Sequence, residues 1–381
     1  MDFSPSDDQA RIRDMVKGFA AGKIAPFAGQ WDEDRTIPRG VLKEAAGLGL
    51  AAITVGEEHG GSGLSRLDSA LIFEELSYAD PVVASFLSIH NMCAWIVDTY
   101  GSAEQRQAWL PRLCAMDLIA SYCLTEPGSG SDAAALRTKA VKDGNSHYRV
   151  SGSKAFISGG GYSDIYLVMC RTGEEGPRGI SCMLVEKDAA GLSFGANERK
   201  MGWHAQATAT VNLDAVRVPA AQLIGGEGRG FSIAMNGLNG GRLNIAACSL
   251  GGAQAALDKA VAYMKERKAF GRSLADFQAL QFKIADMETE LQAARVFLHQ
   301  AAWKLDRKAP DARKFCAMAK RLVTDTGFRV ANEALQIHGG YGYLKEFGIE
   351  KTVRDLRVHQ ILEGTNEIMR VIVARDMLGE G

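Results

Sequence analysis

Apolar residues recur at helical spacing over about the first 116 residues of the chain. Clear examples are a run from Ile12 to Phe19 and a second run over residues 71–76. Apolar positions that return every three or four residues lie on one face of a helix. A glycine-rich stretch at 60–63 separates the two runs as a loop. The pattern therefore predicts a helical unit over residues 1–116.

Between residues 117 and 230 the periodicity changes to short β-type runs divided by glycine, aspartate and asparagine. The predicted strands are residues 147–150, 165–170, 180–185, 208–213 and 216–218. Turn-forming residues follow several of these runs, for example at 159–161 and 172–176. Because no helix-length segment intervenes, an antiparallel sheet or barrel is favoured over a parallel βαβ arrangement.

From residue 231 to residue 381 the pattern is helical again, and one helix is predicted to be very long. Its apolar positions alternate steps of three and four residues from Leu280 to Leu305. Such a helix needs partners along its length, as in an antiparallel four-helix bundle, and it offers a surface for subunit association. The predicted fold class is α+β, with an N-terminal helical domain at 1–116, a middle antiparallel β domain at 117–230 and a C-terminal long-helix bundle at 231–381.

The composition is that of an ordinary globular protein. Of the 381 residues, 46% are hydrophobic and 23% are charged, and the formal net charge is −1. A chain without excess positive charge has no global attraction to nucleic acid or to an anionic membrane. No apolar run approaches the roughly 18 residues expected of a membrane span. We therefore expect neither nucleic acid nor a membrane as a partner.

The N-terminus, the cysteines and the histidines narrow the picture further. Residues 1–8 are acidic and have no apolar core, so neither a signal peptide nor a transit peptide is predicted. We expect a cytoplasmic bacterial protein or a mature matrix form. The seven cysteines include no C-x-x-C pair, which is typical of free thiols in a reducing compartment. The seven histidines include no H-E-x-x-H pattern, so no metal site is predicted.

The segment with the most informative chemistry is QILEGTNE at residues 360–367. It places Glu363 on a glycine-containing bend just before an apolar helical pattern. A carboxylate at the start of a helix can be shielded from water while it faces a ligand, which makes it a useful base. More often, such a glutamate is a solvated charge of the first helical turn. Two further segments, YCLTEPGSGSD at 122–132 and RKAFG at 267–271, favour the first interpretation.

In that order and at that separation, the three segments resemble those of the acyl-CoA dehydrogenase family. The resemblance covers essentially the whole chain and includes SIHNMCAW at 88–95, GLNGGR at 237–242 and VHQILEG at 358–364. It implies bound FAD, α,β-dehydrogenation of an acyl-CoA and electron transfer to an electron-transfer flavoprotein. It also implies a homotetramer built as a dimer of dimers. The segments at 88–95, 237–242 and 358–364 are most similar to those of members that act on isobutyryl-CoA, a thioester of valine catabolism.

The resemblance assigns FAD contacts to five parts of the chain. The residues are Tyr122, Cys123, Leu124, Thr125, Gly130 and Ser131; Phe156, Ile157 and Ser158; Arg267, Phe277 and Gln278; Gln336, Ile337, His338, Gly339 and Gly340; and Thr365, Asn366 and Glu367. The first two groups would lie against the flavin ring, and Arg267 would bind the pyrophosphate through its planar guanidinium. In the family, a neighbouring subunit helps to complete this site. Many members have Trp and Thr where this chain has Phe156 and Ser158.

Family members place the catalytic glutamate in one of two positions. Most use the glutamate before Gly-Thr near the C-terminus, and a minority use one that directly precedes an arginine on an earlier helix. The earlier position is Gly241 here, so the resemblance makes Glu363 the base. The Glu363 N–H and a ribityl hydroxyl of FAD would then stabilise the developing enolate. Enclosure against the flavin should raise the pKa of Glu363.

The same resemblance assigns the substrate to a further set of residues. They are Ser131, Asn239, Gly240, Gly241, Arg242, Leu362, Gly364 and Arg375. Leu362 stands where many members that act on straight chains have Tyr, and the missing ring would leave room for a methyl branch at Cα. The alternative is a neutral packing exchange. Since one carbon changes selectivity by only about 10- to 200-fold, activity on butyryl-, propionyl- and 2-methylbutyryl-CoA is also expected.

Other interpretations fit parts of the sequence. GGEGRG at 225–230 is similar to a phosphate loop, but it lacks G-x-G-x-x-G spacing and a surrounding βαβ unit, which disfavours nicotinamide binding. The imidazole of His338 could transfer a proton, but its position in a Q-x-H-G-G run favours a role in the cofactor loop. An acyl-CoA oxidase would share every motif and differ in its reaction with dioxygen. A DNA-associated flavoprotein would require a basic face, which the net charge of −1 does not favour.

Overall fold

The computed structural model describes residues 4–379, in which a helical region, a β region and a second helical region follow one another. Residues 1–3 and 380–381, the outer ends of the predicted first and third domains, lie outside the described residues. The helices of the first region are α1 (Asp7–Lys23), α2 (Ala28–Asp34), α3 (Arg39–Gly47), α4 (Arg66–Ala79), α5 (Pro81–Tyr100) and α6 (Ala103–Cys114). The predicted helices at 12–19 and 71–76 lie within α1 and α4, so both are confirmed.

Eight strands form one sheet in the middle of the chain. They are β1 (Ala120–Cys123), β2 (Lys139–Asp143), β3 (His147–Ser158), β4 (Ile165–Arg171), β5 (Ile180–Glu186), β6 (Leu192–Phe194), β7 (Thr208–Pro219) and β8 (Leu223–Ile224). Their order is β6-β7-β3-β2-β4-β5-β8, and β1 pairs with β4 off this path. The α+β class is confirmed, but in one detail the sheet differs from the prediction. The β1–β4 and β2–β4 pairs are parallel. Residues 124–164 between β1 and β4, and residues 144–164 between β2 and β4, are each long enough for the return that a parallel pair requires.

Strand β7 joins two runs that the sequence pattern separated. The predicted strands at 208–213 and 216–218 both lie in β7, which pairs with β3 on either side of a register shift. The break falls at Ala215, whose φ of 50° is left-handed. The residues between the two runs therefore form a β-bulge, which bends one strand without ending it.

The second helical region forms a bundle around one long central helix. Its elements are α7 (Gly230–Glu266), the short strands β9 (Lys268–Ala269) and β10 (Arg272–Ser273), α8 (Gln278–Asp306), α9 (Ala312–His338), α10 (Ile349–Arg357) and α11 (Asn366–Leu378). Helix α8 confirms the predicted long helix. Helix α7 packs against α4, α5, α8 and α9. Gly251 permits the approach to α4, because a Cβ at this position would overlap the Glu74 carbonyl.

Helix α5 departs from the expectation that no segment is apolar enough to cross a membrane. An 18-residue window of this helix has a mean hydropathy of 1.3, which is sufficient by length and composition. However, 78% of that window is buried inside the fold, where α5 packs against α4, α6, α7 and β1. The apolar character of α5 is thus accounted for by its place in the protein core.

Candidate active site

Glu363 lies on a tight turn between the 3-10 segment Val358–Gln360 and helix α11. Its backbone is left-handed, with φ of 58°, and Gly364 follows with φ of 88°. A non-glycine residue in this conformation is strained and persists only where its surroundings hold it. The Glu363 carbonyl accepts a hydrogen bond of 3.2 Å from Arg242 Nε, and the Gly364 carbonyl accepts one of 2.8 Å from Lys320 Nζ. Helices α7 and α9 therefore each supply a cation to this turn.

One oxygen of the Glu363 carboxylate is withdrawn from water. This oxygen, Oε2, is inaccessible to solvent and has no hydrogen-bond partner among residues 4–379. Burial raises the pKa of Glu363 to about 7, while the positive charges of Arg242 and Lys320 act in the opposite direction. A carboxylate with this pKa can accept a proton from a weak acid near neutral pH.

Gly241 faces this carboxylate from helix α7. A Cβ at position 241 would lie 2.8 Å from Glu363 Oε1 and closer still to Oε2. Real Cβ atoms do not approach a carboxylate so closely, so Glu363 keeps this position only because residue 241 is glycine. Positions 241 and 363 are the two from which family members supply a base. In this chain, side chains at both positions would occupy the same space.

Two segments predicted to contact a flavin ring meet at one wall beside the turn. The first continues from the end of β1, and the second forms the end of β3. The Ala155 N–H donates to the Thr125 carbonyl over 2.9 Å, and Ser121 Oγ donates to the Ser158 carbonyl over 2.5 Å. Residues 37 positions apart are thereby held side by side.

A buried ion pair fixes the same wall. Lys154 Nζ lies 2.8 Å from Glu126 Oε1 and donates to the Leu124 carbonyl over 3.0 Å. The Glu126 carboxylate also accepts hydrogen bonds from the backbone N–H groups of Arg137 and Thr138. The Lys154 side chain is fully buried, and only 7% of that of Glu126 is exposed. Buried charges persist only when they are paired and hydrogen-bonded, and here these bonds tie β3 to the segment that follows β1.

Between the wall and the Glu363 turn lies a cleft of about 400 Å³, a volume typical of small-molecule sites. Many of the residues predicted for cofactor or substrate line it. They are Tyr122, Leu124, Thr125, Gly130, Ser131, Phe156, Ile157, Ser158, Arg242, Leu362, Glu363, Gly364 and Arg375. The structure thus brings together positions that are as much as 253 residues apart in sequence (122 and 375).

The cleft fits a flat ligand with apolar faces and polar edges. Phe156 exposes 68% of its surface and has a left-handed φ of 57°. The Tyr122 hydroxyl and Trp203 Nε1 are buried without a hydrogen-bond partner among residues 4–379. Unpaired buried polar groups are uncommon, and a bound ligand is one way to satisfy them. These features suit an isoalloxazine ring.

Other predicted FAD residues lie on a separate surface of the chain, around a second cavity of about 450 Å³. The predicted residues that line it are Arg267, Ile337, His338, Gly339 and Gly340. The Arg267 guanidinium lies 5.3 Å from the Tyr341 ring centroid, and the His338 ring stacks on Tyr263. Gln336 is exposed in the last turn of α9, and Phe277 and Gln278 lie at the start of α8. His338 does not line the cleft of Glu363, which disfavours a proton-transfer role.

Several predicted residues lie behind the cleft instead of lining it. Asn366 is buried, and its side chain hydrogen-bonds Lys320 and Asp325. Thr365 caps α11 through its side chain, and Glu367 is exposed. These contacts fit a role in shaping the turn better than direct contact with a ligand in this cleft.

Two residues of the predicted substrate set, Asn239 and Gly240, and one predicted flavin residue, Cys123, also lie behind the cleft. Asn239 accepts a hydrogen bond of 3.0 Å from Arg242 Nη1. Gly240 packs against the Arg66 guanidinium, which a Cβ at position 240 would overlap. Cys123 is fully buried in the sheet core.

Sequence reasoning missed three residues around the site. Trp203 lines the cleft, and its backbone N–H donates to Asp355 Oδ1 over 2.6 Å. Gln206 Nε2 donates to Ser158 Oγ over 2.6 Å. Lys320 is fully buried. A lysine on the apolar face of a predicted helix was an available signal for Lys320, whereas no local pattern marks Trp203 or Gln206.

Comparisons with known proteins agree with this geometry. Family models match the acyl-CoA dehydrogenase N-terminal domain at residues 6–117, the middle domain at 121–216 and the C-terminal domain at 228–378. The chain belongs to the acyl-CoA dehydrogenase family. It is accordingly an FAD-dependent oxidoreductase.

Similar proteins of this family match along almost the whole chain. The isobutyryl-CoA dehydrogenase, mitochondrial, of Dictyostelium discoideum is 56% identical over 373 residues, which are 98% of this chain and 89% of that protein. The Bos taurus protein of the same name is 52% identical over 375 residues, with coverage of 98% and 90%. The solved structure of butyryl-CoA dehydrogenase from Megasphaera elsdenii superposes with a TM-score of 0.96 at 37% identity, covering 99% of this chain and 100% of that one.

Proposed function

We propose that this acyl-CoA dehydrogenase oxidises isobutyryl-CoA to methacrylyl-CoA, with Glu363 as the base. The observation that carries the proposal is the unpaired, solvent-inaccessible Oε2 of Glu363 beside a cleft that both flavin segments line. The substrate follows from the two isobutyryl-CoA dehydrogenases, each more than half identical to this chain. Leu362, next to the base, has a smaller side chain than tyrosine, and the proposal assigns the difference in volume to the methyl branch at Cα.

The residues of the cleft account for the removal of a proton from Cα. Glu363 accepts this proton, and its raised pKa makes it basic enough to do so. The Glu363 N–H makes no hydrogen bond within the described part of the chain, so it is free to donate to the thioester oxygen as negative charge develops there. Bound against this wall, FAD would supply the acceptor for the hydride that leaves Cβ. The two cations on the turn keep the base and this N–H in one orientation.

The raised pKa of Glu363 predicts how the rate depends on pH. Only the ionised carboxylate accepts a proton, so kcat/KM should be level above the pKa of about 7. It should fall by about tenfold for each pH unit below that value. Rates measured with isobutyryl-CoA from about pH 5 to pH 9 test this. A profile that stays level down to pH 5 would contradict it, because only a carboxyl with its ordinary pKa near 4.5 stays ionised there.

Leu362→Tyr should shift selectivity toward straight chains. The added ring would occupy the space proposed for the methyl branch, so the ratio of kcat/KM for isobutyryl-CoA to that for butyryl-CoA should fall by about tenfold or more. Leu362→Met, which conserves volume, is the matched control and should leave the ratio nearly unchanged. An unchanged ratio in the tyrosine variant would make Leu362 a packing residue only.

The partners follow from the family. Electrons would pass to an electron-transfer flavoprotein, and the enzyme would be a homotetramer in which a second copy completes the FAD site. Exposed aromatic residues near the second cavity support such an assembly, since Phe270 and Tyr343 expose 95% and 82% of their surfaces. The location stays a prediction, either the bacterial cytoplasm or, as in the names of the two relatives, the mitochondrion.

An anaerobic titration of the purified flavoprotein tests the proposed function. Isobutyryl-CoA, butyryl-CoA and isovaleryl-CoA are added in turn while the absorbance of oxidised flavin is followed. Fastest bleaching with isobutyryl-CoA is expected. Faster bleaching with butyryl-CoA would keep the reaction and overturn the substrate, and no bleaching with any thioester would overturn both. Rapid reoxidation by dioxygen with peroxide formation would indicate an oxidase.

A further inference from the structure

The geometry points to Lys320 as a positioning residue: it holds the Glu363 turn in its left-handed form and keeps the carboxylate directed into the cleft. This inference rests on the proposed role of Glu363 as the base. Lys320 belongs to helix α9, which contributes no residue to the lining of the cleft. It therefore acts from behind the site.

Lys320 bonds the turn at two points directly after the base. Its Nζ donates to the Gly364 carbonyl and to Asn366 Oδ1, each over 2.8 Å. The residue is fully buried, and a buried ammonium group is costly unless acceptors replace its water. Here, acceptors from the turn and the first residue of α11 replace that water, so movement of the turn would leave a buried charge without partners.

Asp325, on the same helix, ties down the two ends of the turn. Its Oδ1 atom accepts hydrogen bonds from Gln360 Nε2 at 2.8 Å and from Asn366 Nδ2 at 2.7 Å. Lys320 bonds the segment between these two points. The strained conformation of Glu363 is thus held by bonds before, within and after it, which is the over-determination that such a conformation requires.

The charge of Lys320 also acts on the base. Arg242 from α7 and Lys320 from α9 both lower the pKa of Glu363, against the larger effect of burial. The other titratable groups that face Glu363 are Tyr122, Cys93 and Cys248, and burial raises the pKa of each, so they are neutral near pH 7. Burial lowers the pKa of Lys320 itself to about 7, and the positive charge of Arg242 acts in the same direction, while Glu363, Asp325 and Glu367 raise it. Loss of the ammonium group should therefore raise the pKa of the base.

Two substitutions separate the hydrogen bond from the charge. In Lys320→Met, kcat should fall by at least about tenfold, and the midpoint of the pH profile should move upward by about one unit. Amide hydrogen exchange of the peptide over 358–368 should become faster. Lys320→Gln keeps a donor for the Gly364 carbonyl without the charge. It should recover most of kcat and slow exchange again while the upward shift of the midpoint persists.

Lys314→Met is the matched control. Lys314 lies on the same helix and forms an ion pair with Asp376 of α11, so its loss removes a cation from the same pair of helices without touching the Glu363 turn. The pH midpoint and the exchange of 358–368 should match those of the unsubstituted protein.

The outcomes distinguish this inference from the proposed function. A Lys320→Met protein that melts at lower temperature but keeps the pH midpoint and slow exchange at 358–368 would overturn the positioning role. If no thioester reduces the flavin of the unsubstituted enzyme, the proposed function fails. In that case the exchange measurement alone decides whether Lys320 holds the turn.

Discussion

Glu363→Gln should reduce the rate of flavin bleaching by isobutyryl-CoA by about 10⁴-fold, at the upper end of what a general base contributes. The amide has the size of the carboxylate but no basic oxygen, so it fills the same place and cannot accept the Cα proton. Stopped-flow measurement of the anaerobic half-reaction gives the rate directly. Flavin content and melting temperature should change little, because Oε2 bonds no protein group within residues 4–379 that the substitution would leave unpaired.

A second variant shows whether the loss comes from chemistry or from a disturbed site. Glu363→Asp keeps a carboxylate but withdraws it by one methylene, so it should retain a rate between those of the original enzyme and the glutamine variant. If Glu363→Gln instead retained most of the original rate, the base would have to be another residue.

Gly241→Ala should lower the same rate by about 100-fold, which is the typical effect of displacing a reacting group by about 1 Å. The new methyl group would lie within 2.8 Å of Glu363 Oε1, so the carboxylate must swing out of its present position. Stability should not fall in proportion, since alanine is the better helix former by about 1 kcal/mol. The measurement pairs the bleaching rate with thermal denaturation.

Gly18→Ala serves as the control for the backbone effect of this change. A Cβ at Gly18 in α1 meets no atom within 4 Å, so the rate should stay unchanged. The double variant Gly241→Glu with Glu363→Gly adds a second arm. It should regain part of the rate that Glu363→Gly loses, because a glutamate at position 241 would place its carboxylate close to where that of Glu363 now lies. An unchanged rate in Gly241→Ala would contradict this prediction, because it would show that the Glu363 carboxylate tolerates a methyl group at position 241.

The sequence predicted the features that depend on local pattern. Apolar residues recur every three or four positions between Leu280 and Leu305, and this spacing predicted α8. The pattern is local because every turn of a packed helix needs an apolar side chain on the same face. The placement of Glu363 beside Gly364 likewise predicts a tight turn before a helix. Several motif residues that were assigned to the cofactor by resemblance, such as Thr125 and Ser158, do lie in one cleft.

Features that depend on distant parts of the chain were not predictable in this way. The parallel pairing of β1 with β4 joins residues about 45 positions apart, such as Ala120 and Ile165, and no local periodicity records it. The hydrogen bonds of Lys320 to Gly364 and Asn366 cross between helices in the same manner. The division of the predicted FAD residues between two surfaces of one chain also becomes visible only when the fold is known.

The close approach of Gly241 to Glu363 also bears on how such enzymes can diverge. A side chain at 241 and the present glutamate at 363 cannot occupy their shared space together. A lineage that moved its base from the Glu363 turn to position 241 of α7 would have to pass either through a form with no base or through one with two crowded carboxylates. Either ancestor would be a poor enzyme. We therefore expect the position of the proposed base to change rarely among related enzymes, while substitutions at neighbouring residues such as Leu362 can change the acyl group that is accepted without moving the base.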